Sequence, residues 1–174
     1  MKTLIDHLSQ YADYHRDPRN IHTHFVGVPM IMFAVVLLLS RPVWWLAGVP
    51  LSPALVGAVA AAVFYVRLDL RLGLVMSALL AAMLAATTGM DALATTPWLA
   101  WGVGMFAVGW VIQFVGHYYE GRKPAFVDDV MGLLVGPLFV VAEWSFALGL
   151  RKEVQHAIEQ RSGPVRERVL ERAH

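Results

Sequence analysis

Long apolar runs separated by short polar turns constrain this chain more than any motif in it. The runs are about 15 to 20 residues long, and at 1.5 Å rise per residue a helix of that length matches a hydrocarbon layer about 30 Å thick. The composition agrees: 57% hydrophobic and 16% charged residues with a mean hydropathy of +0.55, against about 45–50% and about 25% in soluble domains. That imbalance exceeds what a soluble core buries. The sequence therefore reads as an all-α, polytopic membrane bundle, and its 174 residues as one membrane-embedded domain, 1–174.

Residues 3–14 carry Leu4, Leu8 and Tyr11 on one helical face and Asp6, Gln10 and Asp13 on another, which predicts an amphipathic helix on the bilayer or over the bundle. The N-terminal stretch lacks the apolar centre of a cleavable signal peptide. "HRDPRN" then breaks the helix, because proline biases Asp17 away from helical dihedrals, and Asn20 reads as the cap of the next segment. Four crossing helices are expected at about 24–39, 53–66, 70–88 and 98–115. "SRPVWWLAGVPLSP" is a turn with tryptophans at the headgroup level, and Arg67, Asp69 and Arg71 are too polar for the second and third crossings to be continuous. The stretches "VGAVAAAVF" and "SALLAAMLAATTG" suit close helix packing. A fifth apolar segment, about 130–150, contains Gly136 and Pro137, expected to kink or break it, and Glu143, costly against lipid. Asp128 and Asp129 are candidate caps for it, or one of them a support behind a metal ligand. The charged tail, 151–174, reads as a solvated helix interrupted at Ser162-Gly163-Pro164.

Arg16 and Arg19, Arg67 and Arg71, and Arg122 and Lys123 all fall on one side of four crossings, whereas "GMDALATTP" has no basic residue and falls on the other. The positive-inside rule makes the first side cytoplasmic, placing the tail there as well if the fifth segment is re-entrant. A fifth segment that instead spans would carry the basic tail outside; a re-entrant one needs shielding by protein. A net charge of +1 with no basic stripe argues against a nucleic-acid partner. With no cysteine, a metal site would have to use His, Asp or Glu.

If the crossings pack as a compact bundle, two polar clusters lie together on that cytoplasmic rim: His15, Asn20, His22 and His24 before the first crossing, and His117 with Glu120 after the fourth, in "IQFVGHYYEGRKPA". His117 and Glu120 are spaced i,i+3 and share a helical face. Two or three imidazoles with a carboxylate suit Fe, Mn or Zn, and such sites with open positions are how non-haem iron handles oxygen. His22 and His24 share a face in an extended chain but diverge in a helix. The residues are equally compatible with a blander role, in which His117 is an interfacial residue, Glu120 pairs with Arg122 or Lys123, and Tyr118 and Tyr119 are belt aromatics. Glu143 is a weak signal of a transporter and fits better as a partner for a histidine or an arginine. No HExxH, nucleotide loop or G-x-S-x-G is present.

At these residues the sequence resembles a family of small membrane proteins whose yeast member is a 2-hydroxy fatty acid dioxygenase of the endoplasmic reticulum. The resemblance runs from "YADYHRDPRNIHTHFVGVP" through "GWVIQFVGHYYEGRKPAFVDD" to "GPLFVVAEWSFALG". His15, Asn20, His24, Gly27 and Pro29 match its first motif, Gln113, Gly116, His117, Glu120, Pro124, Ala125 and Asp128 its second, and Glu143 an acidic position in its last apolar segment. His22, His156 and His174 stand outside the pattern, and Arg16 replaces a second histidine of the yeast-like member. The resemblance implies an Fe(2+)-dependent dioxygenase that uses O2 to shorten 2-hydroxy fatty acids by one carbon. It implies His15, His24 and His117 as metal ligands, with Glu120 either a fourth ligand or an orienting carboxylate. Asn20 and Gln113 would support the ligands or substrate, and Arg122 or Lys123 would hold the substrate carboxylate. The membrane would be a bacterial-type inner membrane or the endoplasmic reticulum, depending on source. The alternatives are a zinc-dependent lipid hydrolase on the same rim, or a small transporter or structural membrane protein.

Overall fold

The computed structural model describes residues 2–166. Apart from one short hairpin its regular structure is helical: α1 (Leu4–Ala12), α2 (Pro18–Leu38), β1 (Trp44–Leu46), β2 (Val49–Leu51), α3 (Pro53–Leu68), α4 (Leu70–Thr87), α5 (Thr95–Glu120), α6 (Gly132–Ala147) and α7 (Lys152–Ser162). Helices α2, α4 and α5, of 21, 18 and 26 residues, are long and apolar enough to cross a bilayer, while α3 is a shorter apolar helix of 16. The all-α membrane fold expected from the apolar runs is the one observed. His174 and the rest of the tail beyond residue 166 lie outside the described residues.

Contacts divide the chain into two compact units, one formed by residues up to Val28 with those from Val111 onward, the other by Pro29–Trp110. In the second unit, α3 and α4 form a helical hairpin whose whole turn is Asp69. Its extended backbone ends α3, and its carboxylate accepts the Leu72 amide at 2.9 Å to begin α4. The polar break expected at "RLDLR" is thus a single-residue hinge. Gly73 lets the hairpin close: a β-carbon there would stand 2.5 Å from Val66 Cα. The tryptophan turn is an antiparallel hairpin pairing Trp44 with Leu51 and Leu46 with Val49, and both Trp44 and Trp45 are exposed. The outward faces of α3 and α4 expose Val56, Val59, Val63, Leu74 and Val75, a distribution that favours lipid over water.

The first unit departs from the sequence expectation at two helix boundaries. Helix α2 begins at Pro18, six residues before the expected start, and Asn20 lies inside its first turn. Asp17 is the cap: its Oδ1 accepts the Arg19 amide at 2.9 Å. The extended bias that proline imposes on the preceding residue is the backbone an N-cap needs, and proline itself is favoured at the first helical position. Helix α6 continues through Gly136 and Pro137 and is buried along Val135–Glu143. The change of direction comes later, after Ala147, where α7 leaves at 116° to α6. Helix α1 carries a capping box between Thr3 and Asp6 and packs its Leu4, Leu8 and Tyr11 face inward against α6 and α7. At the start of α6, Asp129 accepts the Met131 amide at 2.9 Å, whereas Asp128 takes the Tyr14 hydroxyl and the Lys123 ammonium.

Substituting Gly73→Ala is expected to force α3 and α4 apart and to lower the melting temperature in detergent by several degrees, the scale of about 1–3 kcal/mol for overpacking. Gly57→Ala, whose β-carbon meets nothing within 4 Å, should leave it unchanged or slightly higher.

Candidate metal centre

Three imidazoles from three parts of the chain converge in the first unit. His15 follows α1, His24 lies on the second turn of α2, and His117 lies in the last turn of α5. Each offers a nitrogen, and the three nitrogens lie within 4.8 Å of one another. All are buried, His15 to 0% and His24 to 2% exposure. Tyr11 stacks on His15 with ring centroids 4.2 Å apart, and Phe139 of α6 tilts against both rings. His22 is exposed on the opposite face of α2, as helical geometry requires of a residue two positions from His24.

Hydrogen bonding decides how the rings present themselves. His15 Nδ1 lies 2.7 Å from the Tyr11 carbonyl and His24 Nδ1 2.8 Å from the Asn20 carbonyl. Carbonyl oxygens only accept, so both Nδ1 atoms carry the proton and both Nε2 atoms present a lone pair. Those two Nε2 atoms face each other at 3.0 Å. Two lone pairs at that distance repel unless a proton or a cation lies between them. A proton is disfavoured at His15, whose pKa is held well below the ordinary histidine value by burial and next by the neighbouring His24. His117 adds a buried Nδ1 with no hydrogen-bond partner. Neutral nitrogen donors, preset in tautomer by outer carbonyls and short of a cation, fit a divalent first-row metal.

Glu120 stands outside that trio. Its Oε2 accepts the Arg16 amide at 3.0 Å, the Asp17 amide at 2.8 Å and Asn20 Nδ2 at 3.2 Å, and its Oε1 accepts Arg166 at 3.3 Å. The carboxylate thus ties the end of α5 to the loop carrying His15 and to the start of α2. Asn20 also donates to the Tyr14 carbonyl, so its side chain holds the same loop. Gln113, one turn before His117, is buried with neither amide atom partnered. Arg122 donates to the Asp13 carbonyl at 2.5 Å, and Lys123 pairs with Asp128. With Gln10, Tyr14 and Arg16 they border an open basin of ≈660 Å³. Glu143 is buried on α6, where its charge acts on the Arg16 guanidinium.

Close approach of α5 to α2 depends on Gly116, where a β-carbon would stand 2.0 Å from Thr23 Oγ1 and 2.5 Å from Asn20 Oδ1. This contact sets His117 beside His24, their ring centroids 5.2 Å apart. Sequence reasoning missed three participants: Arg16 and Asp17, whose backbone amides bind Glu120, and Arg166. The Asp-Pro pair was a legible signal for a cap at Asp17, whereas Arg166 sits in a charged tail that looks like any solvated surface.

A family model described as "Mpo1-like: 2-hydroxy-palmitic acid dioxygenase Mpo1-like" matches residues 1–148. The chain belongs to the Mpo1-like family. It is similar to the 2-hydroxy-palmitic acid dioxygenase MPO1 of Saccharomyces cerevisiae, with 32% identity over 161 residues that cover 90% of this chain and 89% of the yeast protein. No solved structure matches. All three converging histidines, together with Gln113 and Glu120, lie within the stretch matched to the Mpo1-like family, and Arg166 lies beyond it.

Two outcomes are expected of this arrangement. Gly116→Ala should abolish or strongly weaken metal uptake by driving His117 from His24, while Gly104→Ala on the same helix, open around its β-carbon, should not; metal titration of the purified proteins checks both. In metal-free protein the unfolded chain takes up a proton at His15 near the ordinary value of 6.5, which the folded chain refuses. The stability this gives is full above about pH 6.5 and declines as pH falls below it toward the folded value, by up to about 1.4 kcal/mol per unit. Denaturation at pH 7.5, 6 and 5 should show the decline, and His15→Gln should make it shallower, the other buried imidazoles of the trio keeping the rest.

Proposed function

We propose that this chain is an Fe(2+)-dependent dioxygenase that α-oxidises 2-hydroxy fatty acids to acids one carbon shorter. The observation that carries the reading is the buried trio of His15, His24 and His117, its nitrogens within 4.8 Å of one another and the His15 and His24 lone pairs facing each other, in a chain of the Mpo1-like family. Those three imidazoles would hold the iron, which when bound supplies the activation of O2 that no side chain can provide. The reaction balances with O2 as sole oxidant: a 2-hydroxy acid and O2 give the shortened acid, CO2 and water, so no external reductant is required.

The remaining residues orient and bind. The Tyr11 and Asn20 carbonyls fix the His15 and His24 tautomers, and Glu120 with Asn20 holds the loop between those rings. Gln113 presents an unused amide from the face of α5 that bears His117, suited to the 2-hydroxyl or carboxylate of the substrate. Arg122 and Lys123 at the basin would hold the carboxylate, exchanging their present carbonyl and Asp128 contacts for it. The acyl chain, too apolar for water, stays in lipid beside the exposed Val111, Phe114 and Val115 of α5 while its head reaches the polar rim on the cytoplasmic side.

Anaerobic purification followed by metal analysis and turnover of 2-hydroxypalmitate against palmitate tests the assignment. Iron near one equivalent, O2 uptake and turnover of the hydroxylated acid alone are expected. Alanine at His24 or His117 should remove both iron and turnover, a rate loss of at least about a hundredfold. Iron and turnover surviving either substitution would refute the ligand set. Hydrolysis of an ester lipid without O2 uptake would point instead to a zinc hydrolase.

A further inference from the structure

We propose that Arg166 is a positioning residue for the histidine trio, acting through Glu120 and through a clasp that the segment Gly163–Arg166 makes on the loop carrying His15. The clasp is reciprocal. The Arg166 amide donates to the Arg16 carbonyl at 3.0 Å, and the Arg16 guanidinium donates back to the Gly163 carbonyl at 2.6 Å. Between them Val165 is buried and lines a cavity of ≈150 Å³ with Pro18, Ile21, Phe25, Glu143 and Ala147. A segment of four residues is therefore fixed by two backbone-level hydrogen bonds and one apolar anchor, and it brings a cation to a defined point.

That point is where two carboxylates meet. The Arg166 guanidinium lies 3.3 Å from Glu120 and 3.6 Å from Asp17. Asp17 also has Arg19 at 3.0 Å, whereas Glu120, with 1% of its side chain exposed, has Arg166 as its ion-pair partner among the described residues. A carboxylate this buried is costly without a counter-charge. The same carboxylate accepts the Arg16 and Asp17 amides, the first two links after His15. Weakening the charge on one side of Glu120 loosens the backbone it holds on the other, and His15 moves with that backbone. The segment Gly163–Arg166 lies beyond the stretch matched by the family model, which ends at residue 148.

This inference rests on the trio being a metal site, and the experiment separates the two. Full-length wild type, Arg166→Ala and Arg166→Lys are compared in two measurements. Residue-resolved hydrogen exchange of the Arg16 and Asp17 amides is followed without metal, and release of bound Fe(2+) or Co(2+) to a chelator is timed. Arg166→Ala is expected to speed exchange at both amides and to speed metal release by about ten- to a hundredfold, the usual cost of losing a residue that supports a ligand. Arg166→Lys, which keeps the charge, should recover most of both. Unchanged exchange in Arg166→Ala overturns the clasp; faster exchange with unchanged metal release overturns the positioning role; no recovery with lysine overturns the charge contact. A wild type that binds no metal would instead refute the metal reading, with the exchange comparison still deciding the clasp.

Discussion

One buried carboxylate organises the polar end of this protein. Glu120 closes α5, and through three donors on one oxygen it fixes the residues between His15 and His24. The loop from Tyr14 to Asp17 has no helix or strand of its own to satisfy its backbone, and buried amides must be paired somewhere. Glu120 supplies that pairing from a helix that also carries His117, so one side chain fixes the position of two histidine-bearing segments relative to each other. The arrangement explains why the glutamate is three residues from the histidine: on one helical face, the histidine faces inward to the other imidazoles while the carboxylate reaches the adjacent loop.

The membrane sets the terms on which such a site can be built. Apolar helices have few places to bury polar groups, and those they do bury must be satisfied within the protein. Here the polar network gathers where α1, the start of α2, the end of α5 and the buried α6 meet, all within one compact unit. Helix α6 illustrates the demand. Its Gly136 and Pro137 would be weak points in a lipid-facing helix, but α6 is covered by protein from Val135 to Glu143, and proline inside a helix is tolerable where neighbours can satisfy what it frees. The glutamate that would be costly against lipid is likewise inside, near the Arg16 guanidinium.

Much of this was legible in the residues. Apolar run length gave the helices, and the spacing of His117 and Glu120 gave their common face. What could not be read was which of several polar groups touch. Asn20 looked like a cap because it precedes an apolar run, but Asp17 competes for that role with the advantage of the proline after it, and so α2 starts earlier and His24 falls on its inner face. Gly136-Pro137 looked like a break because isolated helices break there, whereas burial overrides local propensity. Arg166 was invisible because a single arginine in "PVRERV" differs from its neighbours only in what the fold places beside it.

The blander reading of the same residues, as interfacial anchors, makes a physical claim that the arrangement opposes. Anchoring side chains gain by keeping their polar tips in water, and Tyr118 and Tyr119 do so, being exposed. The three histidines do the reverse. They are buried, two of them spend their one proton on carbonyls, and their remaining lone pairs are directed at each other. Repulsion between buried lone pairs costs free energy that a purely structural site would remove by substituting one ring. A bound cation would turn the same repulsion into coordination, so the geometry of the three rings suits a metal better than it suits an anchor.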